Sequence, residues 1–196
     1  MRNIAGIILG AGFLSALMAT ARAETISYAY DPLGRLVASV ADRGPTATAT
    51  TMYRYDVANN RSHVGVAKAD GTQIPVFRFV QNSRHFYTAY YLEGRNSGML
   101  PEGNGFSLYP GGGSGLRALY RCYQSTNDDH FVSTLSNCEG QNHEGLMGYA
   151  YTTAGTGRRA LYRFYKAGIM DHLITTDYSE ATAANYTLEA TLGYVI

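Results

Sequence analysis

Apolar and polar positions alternate in short runs along most of the chain, and three of these runs nearly coincide. Pro75–Val80 reads PVFRFV, Ala118–Tyr123 reads ALYRCY and Ala160–Tyr165 reads ALYRFY. A period of two is that of a strand, with successive side chains on opposite faces. Phe77 and Phe79 then share a face, as do Tyr120 with Cys122 and Tyr162 with Phe164. That places the Cys122 slot in the core and these residues on the apolar face of a shared core. Arg78, Arg121 and Arg163 stand on the opposite face. A second run follows each first one: RHFYT (Arg84–Thr88), DHFVST (Asp129–Thr134) and DHLITT (Asp171–Thr176). A third closes each copy, over Glu102–Tyr109, Glu144–Tyr151 and Glu189–Ile196.

The repeated Arg, His and Glu recur every 42 to 45 residues. Such a period predicts units that cannot bury their apolar faces alone and complete one another's core. Each unit reads as three strands. The stretch DYSEATAANY (Asp177–Tyr186) predicts one short helix between the second and third. Glycine-rich joints at Pro110–Gly115 and Ala154–Gly157 separate the copies.

Upstream, ISYAYDPLGRLVASV (Ile26–Val40) and TMYRYDVANNRSHVGV (Thr51–Val66) each predict a hairpin. Asp31-Pro32-Leu33-Gly34 carries the favoured residues of a type I turn, and Asp56–Asn60 supplies the second turn with Asn in place of Gly. The expected fold is therefore all-β with at most short helices. Hairpins over 24–74 precede a pseudo-threefold, trefoil-like body over 75–196, with units 75–113, 114–156 and 157–196.

Arg2, the apolar stretch Ile4–Thr20 and the small residues of Ala21–Ala23 have the layout of a cleaved signal peptide, which predicts a secreted or periplasmic protein with no membrane segment after cleavage. In that setting Cys122 and Cys138, the two cysteines of the chain, are expected to form a disulfide. The formal net charge is +1, without a basic cluster, so nucleic acid is not an expected partner.

Tyr28, Tyr30, Asp31, Gly34, Arg35 and Leu36 resemble the YD repeat of the Rhs family, and Tyr53, Tyr55, Asp56 and Arg61 a diverged copy of it. That resemblance implies hairpin building blocks, through which a protein partner could bind. The pattern Leu-Tyr-Arg-x-Tyr, Asp-His-φ-x-Thr-Thr, Gly-Tyr resembles a secreted bacterial and fungal repeat family catalogued as a domain of unknown function. It covers Pro75–Ile196, and the first copy lacks the Asp before His85 and the Tyr before Arg78.

Each copy contributes one Arg, one His and one Glu. Internal ion pairing is one reading. The other is a polar cluster that lines a sugar site, with a tyrosine as the aromatic face. The candidate ligand-binding residues on that reading are Arg121, Tyr123, Glu144, Tyr149, Arg163, Tyr165, Glu189 and Tyr194. His85, His130 and His172 suit strand-start hydrogen bonds better than a metal, and no cofactor is expected. Asp129-His130 and Asp171-His172 do not read as catalytic dyads, because neighbours on a strand face opposite ways. No nucleophile elbow, zinc-helix or phosphate-loop motif occurs. The expected function is a secreted, non-enzymatic module for glycan or cell-envelope polymer. The alternative is a structural or protein-interaction module derived from an Rhs-type protein.

Overall fold

The computed structural model describes residues 24–44 and 47–196, and the expected leader lies outside the described residues. Strands β1 (Thr25–Tyr30), β2 (Leu36–Asp42), β3 (Ala49–Tyr55) and β4 (Arg61–Lys68) form one antiparallel sheet in chain order. Its turns follow from the two aspartates. Gly34 N donates to the Asp31 carbonyl at 2.9 Å, and the Asp31 carboxylate accepts from the Leu33 and Arg35 amides, each at 2.9 Å. The Asp56 carboxylate likewise accepts from the Ala58 and Asn60 amides. Gly34 (φ 73°) and Asn59 (φ 66°) hold the left-handed position in the two turns, which Gly and Asn tolerate best. Arg35 Nη1 donates to Asn59 Oδ1 at 2.6 Å and ties the turns together.

Three units of one design follow. The first is β5 (Ile74–Gln81), β6 (Arg84–Thr88), α1 (Tyr91–Asn96) and β7 (Leu100–Leu108). The second is β8 (Leu116–Gln124), β9 (Asp129–Ser133), a 3-10 turn (Cys138–Gly140) and β10 (Asn142–Tyr151). The third is β11 (Arg159–Lys166), β12 (Asp171–Thr175), α2 (Tyr178–Ala183) and β13 (Thr187–Val195). In every unit the first strand lies between the second and third, antiparallel to both. The third strands join the units, with Tyr109 paired to Tyr149 and Tyr151 to Tyr194. The all-β expectation and the short helix after Asp177 match this architecture. Asp177 caps α2 by accepting from the Ser179 and Glu180 amides.

Each unit gives four residues to one axial core. Val76, Leu119 and Leu161 come from the first strands, and Tyr87, Val132 and Ile174 from the second. This corrects the expected position of the shared core. Val76 and Arg78 are two apart and so share a face, and it is the arginine side of the strands that turns to the axis. Phe77, Phe79, Cys122 and Phe164 are buried on the other side, in three separate outer clusters. Burying each such aromatic is worth roughly 2–3 kcal/mol.

The outer clusters are covered differently. In the first unit Phe77, Phe79 and Tyr91 lie under Ala29, Ala38, Val40 and Ala67 of the hairpin sheet, whose small inner side chains let it come close. Gly94 of α1 sits so near Phe79 that a Cβ would fall 2.6 Å from the ring. In the third unit Ala181 of α2 takes that place against Phe164. In the second a disulfide, Cys122–Cys138, replaces the aromatic–helix contact.

Candidate functional site

The repeated arginines lie where one unit meets the next. Each guanidinium forks onto a carboxylate from the helical segment of the preceding unit. Arg121 Nη1 and Nη2 donate to Glu93 at 2.9 and 2.8 Å, and Arg163 donates likewise to Glu139 at 2.7 and 3.2 Å. Arg78 of the first unit reaches Glu180 of the third at 3.0 and 2.5 Å, so the ring of contacts closes. Such forks are the strongest ordinary hydrogen-bonded ion pairs. Each Nε faces a second carboxylate, from the unit's own third strand: Glu102 at 2.8 Å, Glu144 at 3.1 Å and Glu189 at 3.0 Å. Off the hydrogen-bond direction at Arg78 and Arg163, these contacts act by charge.

Glu93, Glu139 and Glu180 are the residues that sequence reasoning missed. A signal was present: each follows the Thr or Ser that ends the second strand, by five, six and five residues, and accepts from its hydroxyl. The extra residue in the second unit breaks an ungapped alignment. The same hydroxyls also accept the amide two residues on and so turn the chain into the helical segment.

Two of the three repeated histidines join units too, and do not merely pin their own turns. His172 Nδ1 bonds Asp129 of the second unit at 2.5 Å, and its Nε2 lies 3.1 Å from Glu189. His85 Nδ1 bonds Asp171 of the third unit at 2.7 Å, and the Tyr186 hydroxyl donates to the same carboxylate at 2.6 Å. Adjacent Asp and His therefore do not pair, as strand geometry requires, but Asp–His pairs form across units. At the interface of the first and second units Arg84 stands where the others have Asp. His130 Nδ1 turns to Glu144 instead, at 2.9 Å.

Charge is settled in these clusters. Burial opposes the charged form of His172, but bonds to Asp129 and Glu189 outweigh it and push its pKa up to about 9. Arg163 holds Glu139, and Arg78 holds Glu180, below the usual carboxylate range. Hydrogen bonds from Arg121 and Thr88 overcome burial at Glu93, and His130 does so at Glu144. His172 lowers Glu189.

Of the sequence candidates, the structure gathers Arg121, Glu144 and Tyr123 in one cluster and Arg163, Glu189 and Tyr165 in another. Tyr123 packs on His130 and Tyr165 on His172, ring centres 4.7 Å apart in both. Tyr149 and Tyr194 are not with them. They lie five residues beyond Glu144 and Glu189, roughly 17 Å along the strand, where Tyr149 pairs with Tyr109 and Ala118 and Tyr194 with Tyr151 and Ala160. Among the described residues no group of His, Cys, Asp and Glu has the arrangement to hold a metal.

Two grooves flank the hairpin sheet where it sits on the first unit. One, of about 660 Å³, has a floor of Ile74, Pro75, Phe77 and Met147. It shares Ala89, Tyr90, Leu146 and Met147 with a cleft of about 250 Å³ that holds Glu93, Arg121 and Glu144. The rotationally equivalent cleft at the third and first units, about 200 Å³, holds Glu180, Arg78 and Glu102, with Asp177 in place of Tyr90.

A family model described as a domain of unknown function (DUF5648) matches residues 45–143 and again residues 95–196. The overlap, residues 95–143, takes in the third strand of the first unit and most of the second unit, which both matches therefore share. No curated protein and no solved structure matches the chain.

Proposed function

The chain belongs to the DUF5648 family, and from that premise we propose that it is an exported, non-enzymatic binding module for a glycan or cell-envelope polymer. One observation carries the reading. Tyr90 is 44% exposed and stands between the apolar groove and the Glu93–Arg121–Glu144 cluster, an aromatic face beside hydrogen-bonding groups at a pocket mouth. The leader pattern of residues 1–23 supports export. The non-enzymatic part is supported by the charge state of Glu93, Glu139 and Glu180, each bound to an arginine and held below the usual carboxylate range, away from the near-neutral pKa that general acid–base work uses.

Retention on insoluble polysaccharides and peptidoglycan tests the reading. Tyr90→Ala is expected to weaken retention about tenfold, the loss of one aromatic platform, with the circular dichroism spectrum unchanged. Equal retention of variant and wild type overturns it. Arg121 and Arg163 make poor probes, because their removal breaks the unit interfaces.

A second reading, a protein-interaction module with YD-type hairpins, is favoured by the outer face of the hairpin sheet. Ile26, Tyr28, Tyr30, Val64 and Val66 are all exposed there. If Tyr28→Ser removes retention while Tyr90→Ala does not, the hairpin sheet is the binding surface.

A further inference from the structure

The three unit interfaces share one plan, and one of them lacks a part. Where the second unit meets the third, the Asp129 carboxylate receives both the backbone amide and Nδ1 of His172. Where the third meets the first, Asp171 receives the same two groups of His85, at 2.7 Å each. The corresponding residue where the first meets the second is Arg84, so a buried carboxylate is replaced by a guanidinium. Among the described residues Arg84 has no carboxylate within ion-pair distance, and its Nη1 is buried without a hydrogen-bond partner. His130 has swung its Nδ1 to Glu144, which already faces Arg121 Nε. Its Nε2 has no hydrogen-bond partner among the described residues.

We propose that this interface takes an external carboxylate, borne by an acidic sugar of the uronic type, in place of the missing aspartate. Arg84 supplies the charge and the donors, and the His130 ring, in contact with Tyr123 and Phe86, marks the place where the carboxylate arrives. The change from Asp to Arg puts a positive charge where the counterparts hold a negative one. A guanidinium with an unsatisfied buried nitrogen is a costly group that an anion relieves. The surroundings fit a hydroxylated ring better than a small anion. Tyr123 presents a ring face beside His130, and its hydroxyl joins Asp128 at 3.0 Å, an acceptor suited to sugar hydroxyls. Phe86 meets His130 edge-on from the other side, at 4.8 Å between centres. The sugar assignment rests on the glycan reading above; the carboxylate site does not.

Histidine side-chain NMR on the full chain reads the site directly. Sodium glucuronate is expected to shift the His130 resonances and leave those of His85 and His172 in place, while glucose, the same ring without the carboxylate, shifts none. Arg84→Asp, which rebuilds the plan of the other interfaces, is expected to abolish the shift and to remain folded. A His130 signal that ignores glucuronate, or one that responds equally in Arg84→Asp, overturns the proposal. If N-acetylglutamate shifts His130 at lower concentration than glucuronate, the sugar assignment falls and the ligand is an acidic peptide. Loss of polysaccharide retention by Tyr90→Ala reports on the glycan reading separately, because Tyr90 lines the cleft of Glu93, Arg121 and Glu144, to whose lining neither Arg84 nor His130 belongs.

Discussion

The interface of the second and third units and that of the first and second use the same words differently. At the former, Arg163 is only 9% exposed, clamped by Glu139 and Glu189 and backed by the Phe131 ring at 5.5 Å. His172 is locked between Asp129 and Glu189. At the latter, Arg121 keeps the clamp and the aromatic backing, from Glu93, Glu144 and Phe86, but the Asp–His tie is gone. The arginine fork is thus common to every interface, and the histidine tie is optional. One residue, Arg84, separates a closed structural joint from one with unspent hydrogen-bonding capacity.

Four measurements would break or sharpen that contrast. The largest effect is expected from Arg163→Ala. It takes the cation from Glu139, which is partly exposed, and the hydrogen bond from the buried Val132 carbonyl, and should cost about 3 kcal/mol in denaturant unfolding. A cost below about 1 kcal/mol would mean the fork is decoration.

Next comes pH. The folded pKa of His172 lies above its unfolded value, at about 9 against 6.5. Its contribution is therefore fully present below pH 6.5 and lost as pH rises through 9, at most about 3 kcal/mol. Glu139 and Glu189, held low, act in the other direction. They stabilise above the usual carboxylate range and lose that contribution as pH falls through their folded pKa. Unfolding followed from pH 6 to 10 should show the alkaline decline in wild type and a flatter curve in His172→Gln. In His130→Gln the decline should persist.

Reduction of Cys122–Cys138 comes third. The bridge closes a 16-residue separation and is worth roughly 3 kcal/mol in the chain-entropy picture. Cys138 adjoins Glu139, so reduction should also loosen the clamp on Arg163. The combined loss from reduction and Arg163→Ala should then fall short of their sum, because the two share a partner. Strict additivity would show that the bridge does not position Glu139.

The smallest effect is a gain. Arg84→Asp restores the third Asp–His tie and should stabilise the fold by about 1–2 kcal/mol. A loss of stability would mean that Arg84 serves the interface in a way the other two do not predict.

Much of the fold was legible because it is local. The period of two marked the strands, the shared spacing marked the units, and Asp31 and Asp56 announced turns that their own carboxylates close. The cysteines share one unit, and their pairing follows from that closeness. The site was less legible. Arg121 with Glu144, and Arg163 with Glu189, are near neighbours across one strand pair, and their association follows from the repeat. Tyr149 and Tyr194 were misjudged because a repeated motif says nothing about distance along a strand.

What the sequence alone determined, then, is the unit: three strands, a short helical segment, and one Arg, His and Glu in each. What only the tertiary structure decided is how units read one another. Closure brings Glu180 to Arg78, 102 residues away, and Asp171 to His85, 86 away. It also turned the arginine side of each first strand to the axis. Alternation along a strand defines two faces without saying which is shared, and that choice belongs to the neighbour that covers it. Here the neighbours are the hairpin sheet over Phe77 and Phe79, the disulfide beside Phe131 and α2 over Phe164. With the aromatic faces covered locally, the residues left to meet at the centre were Val76, Leu119 and Leu161, with the arginines beside them.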